Sequence, residues 1–179
     1  MTGVARPPVP ITLDPPRGQI PTVTVVLATD PSTAAGWVAE AFGSQRWKRR
    51  ASDAAHQAGA ALWEIGGAGR AFFLDDLDVL RWVTPRATAF FSHGRAVATV
   101  GPLDPGTGQA PASTVALSLV DGAFSCRESL GAVARGLCDR AVRAGALRPD
   151  DVPVWANAVE IAAGSPLHPA TGRKLFRRG

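Results

Sequence analysis

The sequence predicts an α+β domain: a mainly antiparallel or mixed sheet packed against two to three helices. It adds an extended Pro-rich N-terminal arm and a basic C-terminal tail. Three observations carry this. The run Thr22–Thr29, TVTVVLAT, is dense in β-branched residues. Two segments, beginning near Asp30 and Ser125, carry apolar residues at helical spacing. The middle of the chain reads as strands joined by short turns, without regular βαβ alternation. A doubly wound nucleotide-binding fold is therefore disfavoured.

The elements follow in order. Residues 1–21 hold Pro7, Pro8, Pro10, Pro15, Pro16 and Pro21, which forbid a helix and favour an extended arm. After the first strand, Asp30 caps a helix whose first residue is Pro31, and Ala34, Trp37, Val38, Ala41 and Phe42 share its core face. Gly43 is the expected terminator. A second helix is expected from a Ser52 cap to Ile65, with Ala54, Ala55, Ala58, Ala61, Leu62 and Ile65 on one face. Gly66, Gly67 and Gly69 break it. A short strand at Ala71–Leu74 and a brief helix from Asp75 or Asp76 to Val83 follow, the helix stopped before Pro85.

Ala87–Phe91 and Arg95–Val100 read as a hairpin about Ser92-His93-Gly94. Residues 101–113 read as a Gly- and Pro-rich loop, and Thr114–Val120 as a strand. The strongest helix is expected from Ser125 to Ala146. Leu130, Val133, Ala134, Leu137, Cys138 and Ala141 form its stripe, and Gly145 and Pro149 bracket its end. Val154–Ile161 is a final strand. Residues 22–163 are expected as one domain and 164–179 as a tail.

Composition narrows the function classes. The chain has 179 residues, 46% hydrophobic and 19% charged, which suits one globular domain. It holds no apolar run of membrane-spanning length, and its N-terminus lacks the apolar core of a signal peptide. The expectation is a cytoplasmic protein without a membrane partner. Cys126 and Cys138 lie twelve apart on one expected helix, roughly 18 Å along its axis. A disulfide needs Cα atoms within about 7 Å, so the two are expected as small buried hydrophobes. The net charge is +4, and Lys48 and Lys174 are the two lysines among 19 basic residues. Arginine at that frequency beside abundant Ala, Gly and Pro is also what GC-rich codons produce. Position therefore matters more than total charge.

No chemistry-bearing motif stands out. The glycines at 66–69 follow an expected helix and precede a strand, the reverse of a phosphate loop. Asp75, Asp76 and Asp78 have no further acidic neighbours to complete a cation site and read as helix caps. His56, His93 and His168 are isolated, and no CxxC or HxxxH spacing announces a metal. No cofactor is implied. An enzyme with a site scattered along the chain has only His93 and the aspartates at 75–78 as nominees.

Two basic clusters remain. Arg46, Trp47, Lys48, Arg49 and Arg50 place four cations around one indole, the chemistry of a surface that contacts phosphates and stacks a base. Arg173, Lys174, Arg177 and Arg178 flank Leu175 and Phe176 near the end of the chain. The leading expectation is a nucleic-acid-associated accessory protein that contacts DNA or RNA phosphates with little sequence readout. An adaptor subunit, docking other protein chains through the N-terminal arm and tail, is the alternative. The first expectation requires the two clusters to meet on one face.

Overall fold

The structure, a computed structural model, describes residues 15, 19–66, 93–103, 111–122, 124–147 and 151–177. Among these residues lie six strands, β1 (Pro21–Leu27), β2 (Lys48–Arg50), β3 (Ala60–Ile65), β4 (Gly94–Leu103), β5 (Ala112–Gly122) and β6 (Val154–Asn157). They form one sheet in the order β2-β3-β4-β5-β1-β6, and every neighbouring pair is antiparallel. Among the described residues four helices flank it: α1 (Pro31–Ser44), α2 (Asp53–Gln57), α3 (Phe124–Arg143) and α4 (Pro169–Arg177). The α+β class and its antiparallel sheet agree with the sequence.

One face of the sheet is covered by α1 and α3. Val23, Val25 and Leu27 of β1, Val115, Leu117 and Leu119 of β5, and Trp63 and Ile65 of β3 alternate onto this face. They meet Ala34, Trp37, Val38, Ala41 and Phe42 of α1, and Leu130, Val133, Ala134, Leu137, Cys138 and Ala141 of α3. Both helical stripes are the ones expected. Asp30 caps α1, its carboxylate accepting from the Thr33 N–H at 2.9 Å. Cys126 and Cys138 are buried and are not joined in a disulfide.

The ends of these helices are built alike with different residues. At the end of α3, Ala146 N–H donates to Ala141 and Gly145 N–H to Val142, with Gly145 at φ +67°. At the end of α1, Trp47 N–H donates to Phe42 and Arg46 N–H to Gly43. Here the left-handed residue is Arg46, at φ 64°, and Gly43 lies inside the helix. The expected terminator was misplaced by three residues, because Phe42 and Trp47 fix the register by closing edge to face at 5.6 Å.

The opposite face is thinner. Ala55, Leu62, Val97, Val120, Leu175 and Phe176 form its core, under α2 and α4. Two expectations fail here. The helix expected over residues 52–65 is a single turn and a half, capped by Ser52, and residues 60–65 are a strand. Gly59, at φ +65°, makes the break. Leu62 and Trp63 are then both buried because they point to opposite faces. The alanines at 54, 55, 58 and 61 suit either period, which misled the helical reading.

The segment expected as a basic tail contains a helix. Pro169 begins α4, and Ala170 N–H donates to Nδ1 of His168, which caps it. Leu175 and Phe176 are buried, and a Cβ at Gly172 would collide with Val120. Thr22 donates to Ser118 and Ser118 to the Leu167 carbonyl, at 2.8 and 2.7 Å, tying the approach to α4 to the sheet.

The expected 101–113 loop is shorter than predicted, since Gly101–Leu103 pair with Thr114–Ala112 in the ladder. The expected strand Val154–Ile161 ends at Asn157 and turns into a 3₁₀ segment, Ala158–Glu160. The expected strand at 71–74, the helix at 75–83, the strand at 87–91, Arg178 and nearly all of the Pro-rich arm lie outside the described residues.

Candidate anion-binding face

The two basic clusters meet on the thinner face. Edge strand β2 pairs with β3 so that Lys48 lies opposite Glu64, Arg49 opposite Trp63 and Arg50 opposite Leu62. Alternation sends Lys48 and Arg50 to the α4 side and Arg49 to the other. On β4, Arg95 lies opposite Glu64. Glu64 thus sits between two guanidiniums, with Arg50 Nη1 at 3.2 Å and Arg95 Nε at 3.1 Å. Asp121 lies opposite Arg95 in the same cross-strand row, so Glu64 and Asp121 stand among Lys48, Arg50 and Arg95.

Helix α4 lies against this row. The guanidinium of Arg95 sits 5.4 Å from the centre of the Phe176 ring, a cation–π contact. The Ser52 hydroxyl, two residues beyond β2, is 3.4 Å from the Leu175 carbonyl. The last turn of α4 therefore abuts the start of α2. Arg173, Lys174 and Arg177 occupy the exposed side of the helix, opposite Leu175 and Phe176.

Arg173 also has a structural task. Val120 falls between Leu119, opposite Ala96, and Asp121, opposite Arg95, so it is a bulge residue with no partner on β4. Arg173 Nε donates to its carbonyl at 3.0 Å. Lys48, Arg173, Lys174 and Arg177 are exposed cations among the described residues of this face; Arg49, on the other side of β2, and Arg46, at the α1–β2 turn, are also exposed.

Trp47 departs from its expected role. It is 3% exposed, packs against Phe42, and its indole N–H donates to the Ser129 hydroxyl at 2.8 Å. A base cannot reach it, so it anchors β2 to α3 and does not stack. The signal available in the sequence was its position between a helix end and a strand, where a large residue closes the helix C-terminus.

Sequence reasoning passed over Glu64 as a site residue and Arg95 as a cluster member, and read Ser52 only as a helix cap and His56 only as an isolated histidine. Glu64 and Arg95 would have joined the cluster had residues 60–65 been read with period two. Ser52, Asp53 and His56, with Arg49, Arg50 and Ala51, line an open cleft of about 450 Å³ floored by Ala55, Ala60 and Ala61. His93 stands at the start of β4 with its Nδ1 buried and unpartnered. Among the described residues no three His, Cys, Asp or Glu side chains gather to hold a metal, and no helix is long and apolar enough to cross a membrane. Asp75, Asp76 and Asp78 lie outside the described residues.

Lys48-Arg49-Arg50 also serves the fold. Strand β2 is the sheet edge, and charged edge residues discourage pairing with another sheet. That role accounts for charge on β2. It does not account for exposed cations on α4 beside it.

No protein-family model, curated protein or solved structure matches this chain. The reading of the face rests on its chemistry.

Proposed function

We propose that this face binds the phosphate backbone of a nucleic acid, as an accessory protein with little sequence readout. The observation that carries the reading is the meeting of two basic clusters across the contact between Ser52 and Leu175. Lys48, Lys174 and Arg177 contact phosphates on this face and Arg49 extends the contact around the β2 edge, while Arg50, Arg95 and Arg173 hold the face in shape. Phosphate contacts supply affinity that is independent of sequence and weakened by salt.

The test is oligonucleotide binding across a salt series. Log affinity should fall linearly with log salt, and each lost phosphate contact should flatten the slope by roughly 0.7 on single strands and 0.9 on duplex. The double substitution Lys174→Ala and Arg177→Ala should therefore flatten the slope by between one and two. Absence of binding to DNA and RNA at low salt overturns the reading.

An adaptor role keeps one specific observation in its favour. Val152, Val154 and Val159 are exposed about the opposite edge strand, β6, and Val154 is 63% exposed. Light scattering that returns a monomer at all concentrations counts against self-association through this edge.

A further inference from the structure

We propose that the cleft beside β2 seats one unpaired nucleobase, so that the basic face selects single strands over duplex. The inference rests on the phosphate-binding reading and adds a substrate class to it. Loss of Trp47 to the core leaves that face without its expected stacking side chain. The cleft supplies another.

The cleft is open on one side and has a volume of about 450 Å³. Ala51, Ala55, Ala60 and Ala61 supply a low apolar surface without bulky side chains that would fill it. His56, exposed, brings an imidazole to its rim. An imidazole is one of the groups on which unpaired bases stack. Asp53, exposed, contributes a carboxylate that can accept from a base edge.

Charge orients the occupant. Asp53 is acidic and repels phosphate, whereas Arg49 and Arg50 attract it. The phosphate therefore lies on the β2 side and the base on the α2 side. The strand then continues toward α4, whose Leu175 carbonyl touches the Ser52 wall of the cleft. A paired base cannot enter, because it is stacked inside its duplex.

The experiment compares a fluorescent oligo-dT strand with a duplex of equal total charge, at one salt concentration. The wild-type chain should prefer the single strand by at least roughly fivefold, the lower end of one base stacked on a protein surface. Ala51→Leu, which fills the cleft from an exposed position, should erase that preference and leave duplex binding unchanged. His56→Ala should reduce it, and serves as the second variant if Ala51→Leu disturbs the fold by circular dichroism. Equal binding of strand and duplex by wild type, or a preference that survives both substitutions, overturns the cleft assignment and leaves the basic face standing. No binding to either probe overturns both.

Discussion

The two faces of the sheet differ in almost every physical respect. Among the described residues, twenty-four buried side chains make the core under α1 and α3, and six make the core under α2 and α4. The first face is closed by helices of 14 and 20 residues, the second by helices of 5 and 9. Helices that short form only through tertiary contact. Stability is thus concentrated on one face and charge on the other. A face held by few apolar contacts opens locally at lower cost than the whole domain, which suits a binding surface.

The largest effect expected from this contrast comes from Phe42→Ala. Phe42 is fully buried, stacks on Trp63 with ring centres 4.6 Å apart, and closes against Trp47. Its removal leaves a cavity among three aromatics and should cost about 3–5 kcal/mol. Urea denaturation measures this directly, and the midpoint should fall without a large change in slope. A cost below about 1 kcal/mol would mean that the α1–α3 side is not the main store of stability.

Gly172→Ala tests the other face. The added methyl meets Val120 and the Pro166 carbonyl, so α4 has to lift. Overpacking of this kind costs about 1–3 kcal/mol. The expected signature is local: hydrogen exchange should accelerate across Pro169–Arg177 while the amides of α1 and α3 keep their protection. Uniform loss of protection would show that the faces unfold together. Nucleic-acid affinity should fall as well, because Lys174 and Arg177 leave their positions beside β2.

How much was legible in the sequence divides along the same line. The apolar stripes of α1 and α3 were readable because large side chains recur at a helical period over several turns, between signals such as Asp30-Pro31 and Gly145. Strands β1, β4 and β5 were readable from their β-branched runs. On the thinner face, α2 and β3 are built from alanines that carry no period, and one glycine, Gly59, decides between helix and strand. Helix α4 looked like a tail because its two apolar residues, Leu175 and Phe176, are outnumbered by cations. Its docking depends on partners far away in the chain, Val120 at Gly172 and Ser118 at Leu167, the latter 49 residues apart. The site inherits that limit. The clusters were visible as strings, but the role of Trp47 and the cleft at Ser52–His56 exist only after the strands are paired.

A pH effect separates the faces next. Burial, with a smaller contribution from Asp139, pushes the Cys138 thiol up to about 11 from an ordinary 9.0. The folded state therefore holds this proton more tightly than the unfolded chain. Its contribution is fully present below the unfolded pKa and is lost as pH rises through the window from about 9 to 11. Stability should decline over that window, and Cys138→Ala should decline less. Neither Cys126 nor Cys138 should react with a thiol reagent at neutral pH until denaturant is added, because both are buried.

The smallest effect is expected at the exposed cap of α1. The Thr33 hydroxyl, and then the Thr33 N–H, lower the Asp30 carboxyl below its ordinary 3.8. A depressed carboxylate stabilises the fold above its unfolded pKa, and that contribution disappears as pH falls through the folded value. Asp30→Asn should therefore match wild type in acid, where both side chains are neutral, and melt slightly below it at neutral pH. The comparison isolates charge, since asparagine is itself a good cap. Helix α1 lies on the well-packed face, so the loss should leave exchange in α4 untouched. A change in α4 protection on Asp30→Asn would show that the two faces are coupled through the sheet, and the division of stability from charge would fail.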